Sequence, residues 1–251
     1  SVYISLNLSV LGISILSYNH EYTEQEFRNF VRNAAKKELV INRLIKTSGK
    51  KSFLDIGCGE GYVLDYFYKR GWEVTGMDLS EYGLLAHNPH IRSFLLQGDS
   101  NKYLEDMINR GKKFDVVNCD LYIECCTDPV RTLKNMKSVI KPDLGMAIIR
   151  VANCMSPLHI QLLERGILQE STWFDRVGNF AFFGKEALTN LLEKLDYECL
   201  EWYGDTFVDF NLINPIANYY DVEGIGKTCY KAMLDEKGLG KRINMARKER
   251  G

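Results

Sequence analysis

An alternating run of glycines, preceded by an acid, is the part of this sequence most suited to ligand chemistry. The run is Phe53-Leu54-Asp55-Ile56-Gly57-Cys58-Gly59-Glu60-Gly61. Glycine permits sharp backbone turns and lets a ligand approach the main chain closely. The helix predicted to follow adds unpaired N–H groups and the positive end of its dipole. We therefore expect a site for a nucleoside-bearing ligand with an anionic group.

A second acid, Asp78, is placed to assist this loop. It ends the next predicted strand, about 20 residues on, where dinucleotide folds hold the ribose hydroxyls with an acid. A surface loop with helix-capping acids is the alternative, since short motifs often match by chance. The strand before the loop, the helix after it and the position of Asp78 favour the ligand site.

The elements predicted around these residues alternate between strand and helix, which is typical of a parallel sheet with crossover helices. A helix is predicted over 23–46, opened by the capping-box spacing of Thr23 and Glu26. The pattern predicts an α/β fold, a Rossmann-like doubly wound and mostly parallel sheet with N-terminal and inserted lid elements. The predicted strands are 52–56, 72–77, 94–96, 114–119, 146–151 and 199–203.

Three sections of chain follow from this pattern. Residues 1–48 form an N-terminal hairpin and lid helix, 49–205 a ligand-binding core, and 206–251 a C-terminal extension. The core carries an aromatic-rich insert at 152–183 that breaks the strand–helix alternation. We expect the lid helix and the insert to cover the open top of the cleft.

The glycine spacing separates two kinds of nucleoside site. A dinucleotide fingerprint is Gly-x-Gly-x-x-Gly, whereas here the third glycine comes one residue early and Asp55 precedes the first. A carboxylate at that point disfavours a pyrophosphate and favours an ammonium group. The motif Asp55-x-Gly57-x-Gly59-x-Gly61 resembles the first motif of class I S-adenosylmethionine-dependent methyltransferases.

The resemblance extends over about residues 50–203. The segment 74–80 resembles the family's ribose-binding motif, Gly98-Asp99-Ser100 the adenine-flanking segment, and 114–120 the fourth strand. It implies S-adenosylmethionine as the cofactor, with Asp99 accepting a hydrogen bond from the adenine amine. The implied cofactor-binding residues are Asp55, Gly57, Cys58, Gly59, Gly61, Asp78, Leu79, Asp99, Ser100 and Asp120, and no metal site is implied.

The sequence departs from the family where a catalytic base would lie. Many small-molecule members have a Glu-His pair after the fourth strand, but here the pair is Glu124-Cys125, and a thiol is a poor substitute for histidine. A base is needed only if the acceptor must lose a proton. The candidates for catalysis are Asp120, Glu124 and His159, the single histidine of the insert, for which a packing or surface role is the alternative.

The methyl acceptor is predicted to be a small molecule. The net charge is −1, and a polynucleotide would need a broad basic surface. Asp120-Leu121-Tyr122 also lacks the Pro-Pro that nucleic-acid amino methyltransferases carry after strand four. Aromatic residues of the insert suit a partly apolar molecule, a sugar or a sugar nucleotide, with core packing as the alternative. They are Trp173, Phe174, Phe180, Phe182 and Phe183.

The first 18 residues carry no charge. Apolar residues alternate strictly with polar ones from Val2 to Val10, a period of two that predicts a strand, and Gly12 turns the chain into a second strand. This amphipathic hairpin is favoured over a membrane helix, and a homodimer through the hairpin is one arrangement it allows.

The chain has seven cysteines and no Cys-x-x-Cys pair. An odd number of thiols in apolar runs favours reduced, buried cysteines in a cytoplasmic protein over disulfides or zinc.

Together these observations predict an S-adenosylmethionine-dependent methyltransferase acting on oxygen or nitrogen of a small metabolite or sugar-type acceptor. A non-catalytic subunit that binds the same cofactor is one alternative. A nicotinamide-dependent oxidoreductase is another, disfavoured by the glycine spacing and by Asp55.

Overall fold

Strands and helices alternate along the chain, and the strands form one sheet. The computed structural model describes residues 2–7, 24–45, 49–152, 157–165 and 180–205. Its strands are β1 (Val2–Asn7), β2 (Ser52–Ile56), β3 (Glu73–Asp78), β4 (Leu95–Gln97), β5 (Val116–Asp120), β6 (Met146–Ala152) and β7 (Cys199–Asp205). Its helices are α1 (Glu24–Leu44), α2 (Tyr62–Tyr68), α3 (Tyr82–His87), α4 (Ser100–Asn109), α5 (Pro129–Ser138), α6 (Pro157–Glu164) and α7 (Lys185–Lys194), with a short 3₁₀ helix at Pro89–Phe94.

The sheet order is β4-β3-β2-β5-β6-β1-β7, and all neighbouring strands are parallel. The predicted Rossmann-like fold is confirmed, and the six predicted core strands are present with small shifts at their ends. The strand order reverses between β2 and β5, which opens the crevice where open α/β sheets bind ligands. In register, Asp55 of β2 lies between Gly76 of β3 and Asn118 of β5.

The strand predicted at the N-terminal end is present, but its place in the fold differs from the prediction. β1 lies inside the sheet, where Ile4 pairs with Ile149 of β6 and with Trp202 of β7. Both edges of β1 are therefore used within the chain, so this strand offers no free edge for a homodimer and belongs to the core sheet. The turn at Gly12 and the second strand of the predicted hairpin lie outside the described residues. Alternation of residues predicts a strand but does not identify its partners.

Helices cover both faces of the sheet. Neighbouring residues of each inner strand point to opposite faces, so each strand packs against both layers of helices. Leu54 and Val117 pack on the side of α4, α5 and α7, whereas Phe53 and Val116 pack on the side of α1, α2 and α3. Strands buried on both faces have continuous apolar runs. Among the residues that the structure describes, no helix is both long enough and apolar enough to span a bilayer.

The predicted lid helix, α1, is mainly a core helix. Ala34 and Ile41 are fully buried against the sheet, and the cover that this helix is expected to give the cleft stays a prediction. Its first turns extend beyond the sheet, and Phe30 stacks on Tyr62, the first residue of α2, at 4.6 Å between ring centroids. The helix pattern was recognised in the sequence, but the burial of its apolar face was not.

A buried carboxylate joins β2 to β5 at their amino ends. Asp115 accepts hydrogen bonds from the Ser52 amide and hydroxyl, both at 2.7 Å, and from Lys141 Nζ at 2.9 Å. Burial alone would raise the pKa of Asp115, but the Lys141 and Ser52 donors outweigh it and lower the pKa. The carboxylate is thus ionised and fixes the spacing of the two strands that flank the crevice.

We predict that Asp115→Ala lowers the free energy of unfolding by about 3 kcal/mol near neutral pH, because the buried Ser52 donors lose their acceptor. Urea unfolding followed by tryptophan fluorescence measures the loss. The lowered pKa means that this stabilisation is present above the ordinary carboxyl pKa and disappears as the pH falls through the folded-state value. Asp106→Ala, on the exposed face of α4, is the control and should change stability by less than about 0.5 kcal/mol. Equal losses in both variants would contradict the structural role of Asp115.

Candidate functional site

The glycine loop lies at the carboxyl end of β2 and is held by β3. The amides of Gly57 and Cys58 donate to the Met77 carbonyl at 2.8 and 3.0 Å. Gly57 has φ +72°, and a Cβ there would lie 2.4 Å from the ring of Tyr122, so only glycine fits. Gly59 has φ +52° with open space where its Cβ would be. The loop is therefore packed on one side and open to a ligand on the other.

Asp78 holds the glycine loop from the end of β3, and its predicted role toward a ribose stays a prediction. Its Oδ2 accepts the Gly59 amide at 2.9 Å and its Oδ1 accepts the Ser80 amide at 3.0 Å. Burial raises the pKa of Asp78, and these two backbone donors oppose the rise. Each carboxylate oxygen keeps a lone pair, which can accept from a ligand hydroxyl. Leu79, the next residue, is 63% exposed and presents an apolar surface beside the loop.

Asp55 is a buried carboxyl group, and no cation among the described residues is bonded to it. Asn118 Nδ2 donates to its Oδ1 at 2.6 Å. Burial, with smaller contributions from Asp120 and Asp78, raises the pKa of Asp55 to about 7 despite the Asn118 bond. Asn118 Oδ1 is buried with no hydrogen-bond partner among the described residues. A ligand ammonium would favour the ionised carboxylate and supply donors to the amide oxygen.

Asn118 was not recognised as a site residue in the sequence, although a polar residue inside an apolar strand was a usable signal. The same applies to Lys37, which occupies the stripe of α1 that otherwise carries Ala34 and Ile41. Lys37 is 5% exposed, and its Nζ donates to Asp120 Oδ2 at 2.9 Å.

Asp120 is held between two cations. Besides Lys37, Arg150 Nε of β6 donates to its Oδ1. Burial would raise the pKa of Asp120, but Arg150 and Lys37 outweigh it and lower the pKa. Asp120 therefore lies at the predicted place, but as an ionised, cation-bound carboxylate it is a weak proton acceptor.

Glu124 has the opposite environment. It is 3% exposed, and its Oε1 accepts the Ala152 amide at 2.6 Å. Its Oε2 is buried with no hydrogen-bond partner in the part of the chain that the structure describes. Burial, aided by Asp120, raises the pKa of Glu124 to about 7 against the lowering effects of the Ala152 amide and Arg150.

The remaining predicted residues are placed as follows. Asp99 caps α4, accepting the Asn101 amide at 2.9 Å, and the Gly98 amide donates to the Asp78 carbonyl at 2.8 Å. These bonds hold residues 98–100 beside Asp78. The role predicted for Asp99 and Ser100 at the adenine stays a prediction. Burial, with Asp55 nearby, raises the pKa of the Cys58 thiol, which remains protonated. His159 is part of α6, but its side chain lies outside the described residues, and no cluster suited to a metal ion occurs among the described ones.

Comparison with known proteins identifies relatives of the whole region around this site. The family model described as a methyltransferase domain matches residues 21–201. A ubiquinone biosynthesis O-methyltransferase of Actinobacillus pleuropneumoniae serotype 5b (strain L20) is 30% identical over 191 residues, which cover 73% of this chain and 79% of that protein. A protein of the same name from Coxiella burnetii (strain Dugway 5J108-111) is 32% identical over 93 residues, covering 37% of this chain and only 40% of its own length.

Two solved structures share the fold. A SAM-dependent methyltransferase from Archaeoglobus fulgidus has a TM-score of 0.51 and 21% identity, covering 70% of this chain and 72% of that one. The plantazolicin methyltransferase BamL, solved with a triazolic desmethylPZN analog and SAH, has a TM-score of 0.51 and 17% identity, covering 68% and 64%. At these identities the likeness concerns the fold alone.

We predict that Asp55→Asn stabilises the protein more at pH 8 than at pH 5. A raised pKa in the folded state means that the wild-type protein loses stability as the pH rises from the unfolded value through about 7. An asparagine keeps the acceptor for Asn118 but carries no titrating proton. The difference between variant and wild type should grow by roughly 2 kcal/mol over this range, measured by urea unfolding at both pH values. Asp106→Asn is the matched surface control. If the stability difference between Asp55→Asn and wild type did not change with pH, the raised pKa of Asp55 would be disproved.

Proposed function

Because this chain belongs to the class I S-adenosylmethionine-dependent methyltransferases, we propose that it methylates oxygen or nitrogen of a small-molecule acceptor at the carboxyl ends of β2, β3 and β5. The observation that carries the proposal is the buried pair of Asp55 and Asn118, which has one orphaned amide oxygen. Membership of this family rules against the alternative hypothesis of a nicotinamide-dependent oxidoreductase, which the glycine loop alone had left open.

The described residues fit this cofactor at three points. Asp55 and Asn118 suit the ammonium of its methionine end, because they offer a carboxylate and a buried acceptor to which no described cation is bonded. The open face of Gly59 admits the ligand to the backbone. The two oxygens of Asp78, already oriented by backbone amides, suit the ribose hydroxyls. We assign Asp99 and Ser100 to the adenine end, on the position of the 98–100 segment next to Asp78.

When bound, S-adenosylmethionine supplies a methyl carbon activated by its sulfonium. The chain's own contribution is to position the acceptor in line with that carbon and to exclude water, which accounts for much of the acceleration in such displacements. The ring of Tyr122 lies over Gly57 and forms one wall of the space next to the loop. Lys37, Asp120 and Arg150 form a fixed charged wall on the β5–β6 side.

We propose a small metabolite or sugar-type acceptor and no nucleic acid. The relative from Actinobacillus pleuropneumoniae is named for O-methylation in ubiquinone biosynthesis, which supports a small acceptor with a hydroxyl group. The net charge of −1 provides no broad basic surface for a polynucleotide. Among the described residues, the thiols of Cys58, Cys119, Cys126 and Cys199 are not in disulfides, which supports the proposed cytoplasmic location.

The ribose assignment predicts that Asp78→Ala binds S-adenosylhomocysteine at least tenfold more weakly. Each lost hydrogen bond to a charged group corresponds to about 1.5–3 kcal/mol. Isothermal calorimetry measures the affinity, and circular dichroism checks that the variant is folded. Asp78→Asn keeps one acceptor oxygen and should show an intermediate loss. Unchanged affinity in Asp78→Ala would place the ribose elsewhere.

The acceptor class is tested by incubating the protein with methyl-labelled S-adenosylmethionine and a cell extract, followed by size fractionation. We expect the label in the low-molecular-weight pool. Label mainly in RNA or protein would contradict a small acceptor. Cofactor binding without any label transfer would favour the non-catalytic subunit instead.

A further inference from the structure

Two carboxyl groups at the carboxyl end of β5 lie in contrasting environments. Both oxygens of Asp120 are bonded to cations, Lys37 and Arg150. Glu124 has one oxygen bonded to the Ala152 amide and the other, Oε2, buried without a partner among the described residues. Buried polar atoms are nearly always hydrogen-bonded, so an orphaned carboxylate oxygen needs an explanation.

When Glu124 is ionised, the missing partner of Oε2 is a hydrogen-bond donor, because an ionised carboxylate only accepts. The Glu124 carbonyl accepts the amides of Phe180 and Ala181 at 2.7 and 3.0 Å, and its side chain holds Ala152. Glu124 therefore sits where the chain leaves β6 and where it returns ahead of α7. Its backbone and Oε1 are fixed by these bonds, and no described residue supplies a donor to Oε2.

We propose that Glu124 is the general base of the methyl transfer and that the acceptor group is therefore a hydroxyl. This inference rests on the proposed methyltransferase function. Cys125 occupies the position at which many small-molecule methyltransferases have histidine, and it is exposed. In this proposal the neighbouring Glu124 accepts the proton instead. Asp120, bound by two cations, fixes the charge around Glu124 and does not exchange protons with the acceptor.

The step balances in atoms and electrons. The acceptor hydroxyl donates its hydrogen bond to Glu124 Oε2 and transfers its proton there as its oxygen forms a bond to the methyl carbon. The carbon–sulfur bond breaks with its electron pair going to sulfur. The products are a methyl ether and S-adenosylhomocysteine, and Glu124 then releases the proton to solvent.

The pH behaviour expected of this base follows from its surroundings. Asp120 and Arg150 are the charged groups that act on Glu124 from β5 and β6, and the buried Cys119 thiol of β5 is the further titratable group that interacts with it. A pKa of about 7 for Glu124 is close to the operating pH, where a general base is most effective. With the cofactor saturating, Asp55 is held ionised by the ammonium, so the remaining rise in rate through pH 7 reports Glu124.

Glu124→Gln is the direct test, because it keeps an oxygen for the Ala152 amide and removes the basic site. The probe is the low-molecular-weight extract fraction that the wild-type protein labels from methyl-labelled S-adenosylmethionine. We expect the initial rate to fall about 10²–10⁴-fold and its rise between pH 6 and 8 to disappear. Affinity for S-adenosylhomocysteine should be unchanged. Glu193→Gln, on the exposed side of α7, is the matched control and should keep the wild-type profile.

Two further measurements do not depend on the activity of that variant. The wild-type melting temperature should decline from pH 5 to pH 8 more than that of Glu124→Gln, because a raised folded-state pKa makes the protein lose stability as the pH rises through it. The labelled wild-type product should resist mild alkali and pass through a cation-exchange resin, as a methyl ether does. A methyl ester would release labelled methanol in alkali, and a methylated amine would be retained on the resin.

The outcomes separate the inference from the proposed function. A wild-type protein that labels nothing would overturn the methyltransferase function itself. A labelled ester or amine, or a Glu124→Gln rate within threefold of wild type with the same pH profile, would overturn the base assignment alone. If Glu124→Gln does not fold, Glu124→Asp, whose shorter carboxylate should lower the rate and keep the pH dependence, and the product chemistry decide the question.

Discussion

The ion triad of Lys37, Asp120 and Arg150 is the interaction on which the arrangement of the site depends. It joins α1, β5 and β6, and the side chains of its members are 6 to 13% exposed. Burying two cations beside one carboxylate costs free energy unless both cations are bonded to the carboxylate. The triad therefore fixes α1 against the sheet at one position and keeps Asp120 ionised among other acids.

Four acidic side chains lie near the same edge of the sheet, and each has different hydrogen-bond partners. Asp120 is paired with cations, Asp78 is bonded to backbone amides, Asp55 to an asparagine, and Glu124 to a single amide. Environments that separate the pKa values of neighbouring carboxyl groups also separate their chemical roles. In the roles that we propose, carboxyl groups thus serve as ribose acceptor, ammonium partner, fixed charge and proton acceptor within one crevice.

The sequence was sufficient for those parts of the fold that depend on local pattern. Apolar runs predicted β2 to β7, and the glycine spacing with Asp78 located the crevice, because both follow from short-range backbone chemistry. The burial of Lys37 and the partnership of Asn118 with Asp55 could not be predicted, since they depend on which elements meet in space. The placement of β1 failed for the same reason, because a period of two fits an edge strand of a hairpin and an inner strand equally well. The unpartnered oxygen of Glu124 is likewise a property of the packed structure, which no motif records.

The position of β1 also has a consequence for the order of folding. Ile4 pairs with Ile149 and Trp202, and among the described strands β7 is joined to the rest of the sheet through β1 alone. Contacts between residues so distant in sequence form late and slow the search for the native topology. During synthesis β1, which precedes both of its partners in the chain, therefore has to wait for them until β6 and β7 have left the ribosome. While it is unpaired, this strand can pair with other chains. The rate at which β1 enters the sheet between β6 and β7 would therefore govern the yield of folded protein.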